Sequence, residues 1–130
     1  MALEHAESGD LIDVRPLGAR LASTVSSALF KGEDLEVMRL VLRSGKEIPP
    51  HKVAGEVTIQ CLEGVVEVTS GSVRRLEAGW MVFLRGDVVH SLRAIEDASV
   101  LVTIFLERRG DKLQGRGVAG LGQDGPPTRN

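Results

Sequence analysis

Two histidines, each at a junction with an extended segment, are the residues best suited to chemistry. His51 follows Pro49 and Pro50, whose rings hold the backbone extended. His90 ends a segment that opens at Gly79 and continues through an apolar run. Because the pKa of an imidazole is close to neutral pH, the ring can act as a metal ligand, a base or a hydrogen-bond donor. We expect both histidines to line one pocket; the alternative is two rim histidines that bond only to carbonyl groups.

Three side chains that follow His51 could extend this pocket. Gln60 stands between apolar residues, so it either binds a ligand beside the histidines or satisfies neighbouring backbone groups. Glu56 would turn inward if a bulge at Gly55 shifted the strand register, because one inserted residue exchanges the two faces. Cys61 is expected to be a small buried hydrophobe rather than a nucleophile.

The elements that position these residues read as short strands separated by turns. In residues 35–43, Met38, Leu40 and Leu42 fall on one face and Arg39 on the other, as in a half-buried strand. Further strands are expected at residues 11–15 and within 21–30. Turn signals recur about every eight to twelve residues, which predicts an antiparallel all-β barrel or sandwich.

Composition indicates one compact domain with flexible ends. The chain has 130 residues with 42% hydrophobic content, enough for a single core. We expect a flexible N-terminus over residues 1–10, a barrel over 11–106, and a flexible tail rich in glycine and proline over 107–130.

Charge and residue usage argue against several classes of partner. A net charge of −2, no tyrosine and one tryptophan give no basic or stacking surface for nucleic acid or an anionic membrane. A single cysteine suits a reducing compartment. The first residues carry neither a basic start nor an apolar run, so no secretory signal is expected, and we predict a cytoplasmic protein.

The two histidine segments resemble the two motifs of the cupin superfamily. In the first motif, Gly45, His51 and Gly64 stand at the expected positions. Val53 occupies the place of a second histidine, and Val57 occupies the place of a glutamate, with Glu56 one position away.

The second motif resembles its family pattern in the same partial way. Gly79 and His90 fit, whereas Arg85 replaces a proline and Asp87 replaces a turn glycine. The resemblance implies a single-domain cupin-like jelly-roll barrel, and by family analogy a homodimer.

The resemblance also implies two functional hypotheses. Cupins commonly hold a metal, but mononuclear iron, manganese or nickel sites use three or four protein ligands. Because the ligand set here is reduced, the first hypothesis is a barrel that binds an unidentified small molecule through His51, Gln60 and His90. The alternative is a metal-dependent enzyme of the dioxygenase or isomerase type, in which His51 and His90 bind iron, manganese, nickel or zinc and either Glu56 or solvent completes the shell. The pattern of residues identifies neither a substrate nor a catalytic group.

Overall fold

The protein forms two antiparallel sheets, and the prediction of an all-β barrel is confirmed. The computed structural model describes residues 5–106. Within them lie a short 3-10 helix (Gly18–Ser23) and nine strands: β1 (Ser27–Lys31), β2 (Leu35–Leu42), β3 (Glu47–His51), β4 (Val57–Glu63), β5 (Val65–Ser70), β6 (Ser72–Glu77), β7 (Met81–Leu84), β8 (His90–Ala94) and β9 (Ala98–Phe105). In this part of the chain, no helix has the length and apolar character needed to cross a membrane.

The chain crosses repeatedly between the two sheets, as it does in a jelly roll. One sheet has the order β1-β2-β9-β4-β7 and the other has the order β3-β8-β5-β6. Neighbouring strands pair antiparallel throughout these orders. β3 is an edge strand, so Pro49 and Pro50 sit where missing N–H groups disturb the ladder least.

Alternation along the strands separates the core from the surface. In β4, Val57, Ile59 and Cys61 are buried, whereas the residues between them are only partly so. Thirteen buried apolar residues from both sheets form one cluster: Leu42, Val57, Ile59, Cys61, Val66, Val68, Leu76, Leu84, Leu92, Ala94, Ala98, Val100 and Val102. The core therefore lies between the inner faces of the two sheets.

Gly64 joins β4 to β5 as a one-residue connection. Its φ of 79° lies in the left-handed region, and a Cβ there would collide with the backbone of Asp97 and Ala98. Glycine is required at this position because it alone combines that conformation with so close an approach.

The segment before β1 differs from the prediction. Residues 11–15 form no strand, so the expected strand there is wrong. The carbonyl groups of Asp13 and Arg15 instead accept hydrogen bonds of 3.0 Å from the guanidinium of Arg39 in β2. These carbonyls are satisfied by a side chain rather than by a strand neighbour.

The boundaries of the domain, expected at residues 11 and 106, stay predictions. The Ala6 N–H donates to the carbonyl of Leu29 in β1 at 2.9 Å, so the chain already contacts the barrel before residue 11. The tail predicted for residues 107–130 lies outside the described residues.

Candidate functional site

His51 and His90 meet at one end of the four-stranded sheet. His51 is the last residue of β3, His90 is the first of β8, and the two are paired across the ladder. Paired residues of antiparallel strands share a face. Their ring centroids lie 4.4 Å apart, with the ring planes inclined by 55°. The predicted approach of the two histidines is therefore present in the structure.

Each of the two rings forms a hydrogen bond to the backbone carbonyl two residues earlier in the chain. Nδ1 of His51 lies 3.0 Å from the carbonyl oxygen of Pro49, and Nδ1 of His90 lies 3.0 Å from that of Val88. A carbonyl oxygen only accepts hydrogen bonds, so Nδ1 must carry the proton in both rings. In the neutral imidazole this leaves the lone pair on Nε2, which is the nitrogen available to a ligand or a metal.

The two histidines differ in their access to solvent. His90 is buried, with 6% of its surface exposed, and begins a strand whose alternate residues Leu92 and Ala94 belong to the core. His51 is exposed. The pair therefore reaches from the edge of the core to solvent, with one imidazole held by packing and the other free to contact a ligand.

The two loops next to the histidines are in direct contact with each other. The Asp87 N–H, in the loop before β8, donates to the carbonyl of Val53, in the loop after β3, at 2.8 Å. A Cβ at Gly86 would collide with the carbonyl oxygen of Ala54. Glycine at position 86 therefore permits the contact that holds the two loops together.

The positions where the family motif would place further ligands are apolar and packed. Val53 packs against the core cluster, and Val57 is buried within it. Val53 and Val57 contribute packing, and neither side chain has an atom that can bind a metal.

Glu56 lies just before β4 and is exposed. β4 pairs regularly from Val57 onward, and its irregularity falls between Cys61 and Glu63 rather than at Gly55. Among residues 5–106, no three His, Cys, Asp or Glu side chains are grouped so that they could hold a metal ion. Glu56 as a third ligand therefore stays a prediction.

Gln60 is not brought to the histidine pair. It alternates with the buried Ile59 and Cys61 of β4, and it pairs in register with Met81 and Leu101. Its side chain thus belongs to the outer face of the five-stranded sheet, whereas His90 begins a strand that faces the core. The alternation of Val57, Ile59 and Cys61 is the sequence signal that could have assigned this face.

Cys61 is fully buried, as expected. Burial raises the pKa of its thiol, although a hydrogen bond with the Glu63 carbonyl opposes this. The thiol lies 3.4 Å from the carbonyl oxygens of Glu63 and Gly64. A protonated, enclosed thiol is a poor nucleophile, so Cys61 belongs to the core.

Two open clefts lie elsewhere, beside the N-terminal segment. One of about 660 Å³ is lined by residues that include His5, Asp10 and Phe30, and a second of about 460 Å³ adjoins it along β1. Their lining contains neither His51 nor His90. The chemistry suggested by the histidine pair therefore belongs to a different part of the surface from these clefts.

Comparison with known proteins identifies the architecture. Neither a protein-family model nor a curated protein matches this chain. A solved cupin superfamily protein from Desulfitobacterium hafniense superposes with a TM-score of 0.65 at 14% identity, covering 78% of this chain and 100% of that one. This chain has a cupin-type barrel fold.

Two further structures show how widely this barrel is used. An RmlC-like cupin protein from Desulfovibrio desulfuricans gives a TM-score of 0.59 at 25% identity, covering 78% of this chain and 97% of that one. Salicylate 1,2-dioxygenase from Pseudoaminobacter salicylatoxidans gives a TM-score of 0.53 at 26% identity, covering 55% of this chain and 21% of the enzyme. A fold shared this widely does not assign an activity.

Proposed function

We propose that this barrel binds a small molecule through His51 and His90. The observation that supports the proposal is the contact between the two rings, 4.4 Å apart, with each Nδ1 bonded to a carbonyl group. This bonding leaves Nε2 of each neutral ring as a hydrogen-bond acceptor. Gln60 is left out of the proposed site because it lies on the outer face of the five-stranded sheet.

The class of ligand follows from the two acceptor nitrogens. Neighbouring acceptors favour a ligand that donates hydrogen bonds, such as a compound with adjacent hydroxyl groups or an amine. Apolar Val53 and Val88, which pack against the core beside the histidine-bearing loops, would contact the carbon skeleton of such a compound. We therefore propose a small polar metabolite with donor groups.

A second candidate is a metal-dependent enzyme of the dioxygenase or isomerase type. Unprotonated Nε2 atoms are suitable metal donors, and a solved neighbour with this barrel is a salicylate 1,2-dioxygenase. The residues present fit such a site only in part, because two imidazoles fall short of the three or four protein ligands that mononuclear sites use. Solvent and Glu56 would have to complete the shell.

Metal analysis separates the two candidates. Protein purified without an affinity tag would be incubated with iron(II), manganese(II), nickel(II) or zinc(II) alone, and bound metal would be measured after desalting. The first proposal expects less than stoichiometric metal in the wild type. Stoichiometric metal that is lost in His51→Ala and His90→Ala, but retained in the control His5→Ala, would overturn it and support the enzyme.

The tautomers provide a direct test of the proposed acceptors. Long-range ¹H–¹⁵N spectra of the protein at neutral pH should show protonated Nδ1 and unprotonated Nε2 for His51 and His90. Addition of a polyol or amine panel should shift the Nε2 resonances of this pair and leave His5 unchanged. Protonated Nε2 in the neutral rings would contradict the proposed acceptor pair.

We also propose that the protein works as a homodimer in the cytoplasm. The dimer follows from the resemblance, and the location is supported by a single cysteine, which is buried and forms no disulfide.

A further inference from the structure

The inner face of the four-stranded sheet becomes polar beside the histidine pair. In β5, Val66 and Val68 are fully buried, and alternation places the half-buried Ser70 after them on the same face. Ser70 pairs in register with Ser72 of β6. Because paired residues of antiparallel strands share a face, two hydroxyl groups follow the buried valines at this end of the sheet.

These hydroxyl groups lie in one row with the histidines. The printed register between β5 and β8 includes Thr69 opposite Ser91, and the same register continued by one residue sets Ser70 opposite His90. His90 is paired in turn with His51 of β3. In the strand order β6, β5, β8 and β3, the row is Ser72, Ser70, His90 and His51.

Arg74 lies on the same face, two residues along β6 from the row. It pairs with the fully buried Val68 and alternates with the buried Leu76, so its side chain leaves the sheet on the inner side. β6 is an edge strand, and Arg74 is exposed. An arginine in this position can lay its carbon chain along the apolar wall while its guanidinium stays in contact with water and with a ligand.

The charge of Arg74 is not compensated by a neighbouring carboxylate. The other two arginines of this sheet lie on its opposite face, where Arg75 is 3.5 Å from Glu77 and Arg93 is 3.9 Å from Glu67. Among residues 5–106, the guanidinium of Arg74 makes neither an ion pair nor a hydrogen bond. Its planar fork of N–H donors matches the two oxygens of a carboxylate, so this position favours an anionic group in a ligand.

The facing sheet leaves this positive charge in place. Residues 52–56 connect His51 to Val57, so the row that contains Val57 lies at the same end of the barrel. Across β1, β2, β9, β4 and β7, that row is Lys31, Glu36, Ile104, Val57 and Leu84. Its two charges are opposite in sign and belong to paired residues. The loops beside the histidines also carry two charges of each sign, on Lys52, Arg85, Glu56 and Asp87.

We propose that the ligand of the histidine pair is a small hydroxy acid. Its carboxylate accepts hydrogen bonds from Arg74, Ser70 and Ser72, and its hydroxyl groups donate to Nε2 of the two histidines. This assignment rests on the proposed function and adds an acidic group to the ligand. A guanidinium and serine hydroxyls are donors, and the neutral imidazoles offer acceptors, so each part of the acid meets its complement.

The spacing of the strands limits the length of the acid. Neighbouring strands lie about 4.8 Å apart, so Arg74 on β6 and His90 on β8 are roughly 10 Å apart across the sheet. Because both side chains project from the inner face, a compound of a few carbon atoms spans the remaining distance. A single guanidinium balances one carboxylate, whereas a phosphate monoester carries about two negative charges at neutral pH.

The test compares acids with their neutral counterparts on the full chain. Glycerate differs from glycerol, and gluconate from sorbitol, only in a carboxylate that replaces a hydroxymethyl group. Titrations at neutral pH would follow Nε2 of His51 and His90 and the side-chain Nε–H of Arg74 by ¹H–¹⁵N spectra. Each acid should bind more tightly than its polyol by about tenfold or more, as expected for hydrogen bonds to a charged group.

Variants assign the preference to Arg74. Arg74→Gln should reduce the affinity for each acid to that for its polyol. The matched control is Arg75→Gln, the next residue of β6, which lies on the opposite face and should bind the acids as the wild type does. Ser70→Ala should weaken acid binding to a smaller extent. Circular dichroism should show a native spectrum for all three variants.

The outcomes separate this assignment from the proposed function. If acids and polyols bind equally and both shift the histidine resonances, the hydroxy acid is overturned and the proposed function stands. If no compound shifts those resonances, the proposed function is overturned and the hydroxy acid with it. An acid preference that survives in Arg74→Gln would overturn the role of Arg74. Tighter binding of glycerol 3-phosphate than of glycerate would overturn the choice of a carboxylate.

Discussion

At the scale of single residues, His51 and His90 each form the same kind of hydrogen bond to a backbone carbonyl, but they differ in burial. Each Nδ1 is bonded to the carbonyl two residues earlier in the chain, yet only His90 is buried. The bond orients each ring locally, and the packing of the core then restrains one of them further. A ligand at this pair would therefore meet one rigid acceptor and one adaptable acceptor.

Asp87 lies in the turn before β8 and has an unusual backbone conformation for a residue other than glycine. The resemblance places a glycine at this turn, and Asp87 nevertheless adopts a φ of 63°, the one positive φ outside glycine among residues 5–106. Aspartate tolerates the left-handed region better than most residues, but the conformation still costs free energy. The turn that leads to His90 is therefore strained at one residue.

We predict that Asp87→Gly makes the protein more stable than Asp87→Ala by about 1 kcal/mol. Both changes remove the carboxylate, so the difference isolates the cost of a Cβ at positive φ. Urea denaturation of the two variants and the wild type measures it. Equal stability of the glycine and alanine variants would mean that the turn relaxes to another conformation.

At the scale of elements, the segment before β1 is attached to the barrel through one carboxylate. Glu63, at the end of β4, accepts hydrogen bonds from the N–H groups of Leu17 and Gly18 at 2.9 and 3.0 Å, and from the Ser99 hydroxyl at 2.5 Å. Burial alone would raise the pKa of Glu63, but these hydrogen bonds and the charge of Arg39 lower it overall.

The lowered pKa makes this attachment dependent on pH. The folded protein holds Glu63 ionised below the ordinary value of 4.5, so its contribution to stability is fully present above that value. The contribution is lost as the pH falls from 4.5 through the lower pKa of the folded state. On acidification, the wild-type protein should therefore lose stability more steeply than a variant with a non-ionisable side chain at position 63.

We predict that Glu63→Gln is less stable than the wild type at neutral pH and that the gap narrows in acid. Glutamine keeps the shape of the side chain but has one accepting oxygen and no charge, so it cannot satisfy all three donors. Chemical denaturation across the pH range measures the gap, and Glu77→Gln on exposed β6 is the control. A gap that does not change with pH would contradict ionisation as the source.

At the scale of the whole molecule, the outer faces of the two sheets differ in polarity. Four charged residues, Arg75, Glu67, Arg93 and Glu47, pair in register across the four-stranded sheet. The exposed Met81, Phe83 and Phe105 lie on the five-stranded sheet. Association of two copies through the five-stranded sheet would remove these exposed apolar side chains from water. Stability would then depend on the amount of protein present.

We predict that the melting temperature of the wild type rises with protein concentration. Folding coupled to association gains about 1.4 kcal/mol per mole of dimer for each tenfold increase in protein. Differential scanning calorimetry over a dilution series measures the rise. The variant Met81→Glu, Phe83→Glu should melt at a temperature independent of concentration, whereas Val73→Glu should behave as the wild type.

The amino-acid sequence by itself determined the strand pattern and the meeting of two histidines. Alternating apolar residues and recurrent turn glycines such as Gly64 act over a few neighbouring residues, so they can be read along the chain. The two cupin-like motifs are recognisable from the spacing of Gly45, His51, Gly79 and His90. That resemblance was enough to predict that the two histidines approach each other. The fold and this contact are both present in the structure.

Only the tertiary structure decided which face each polar side chain occupies and what it binds. Gln60 lies outside because β4 turns its alternate residues away from the core, and Arg39 is satisfied by carbonyls of a segment more than twenty residues earlier. Glu63 binds Leu17 across 46 positions in the chain. The local pattern of residues determines the strands. Hydrogen-bond partners so distant in sequence depend on how the two sheets pack, and no short stretch of residues encodes that packing.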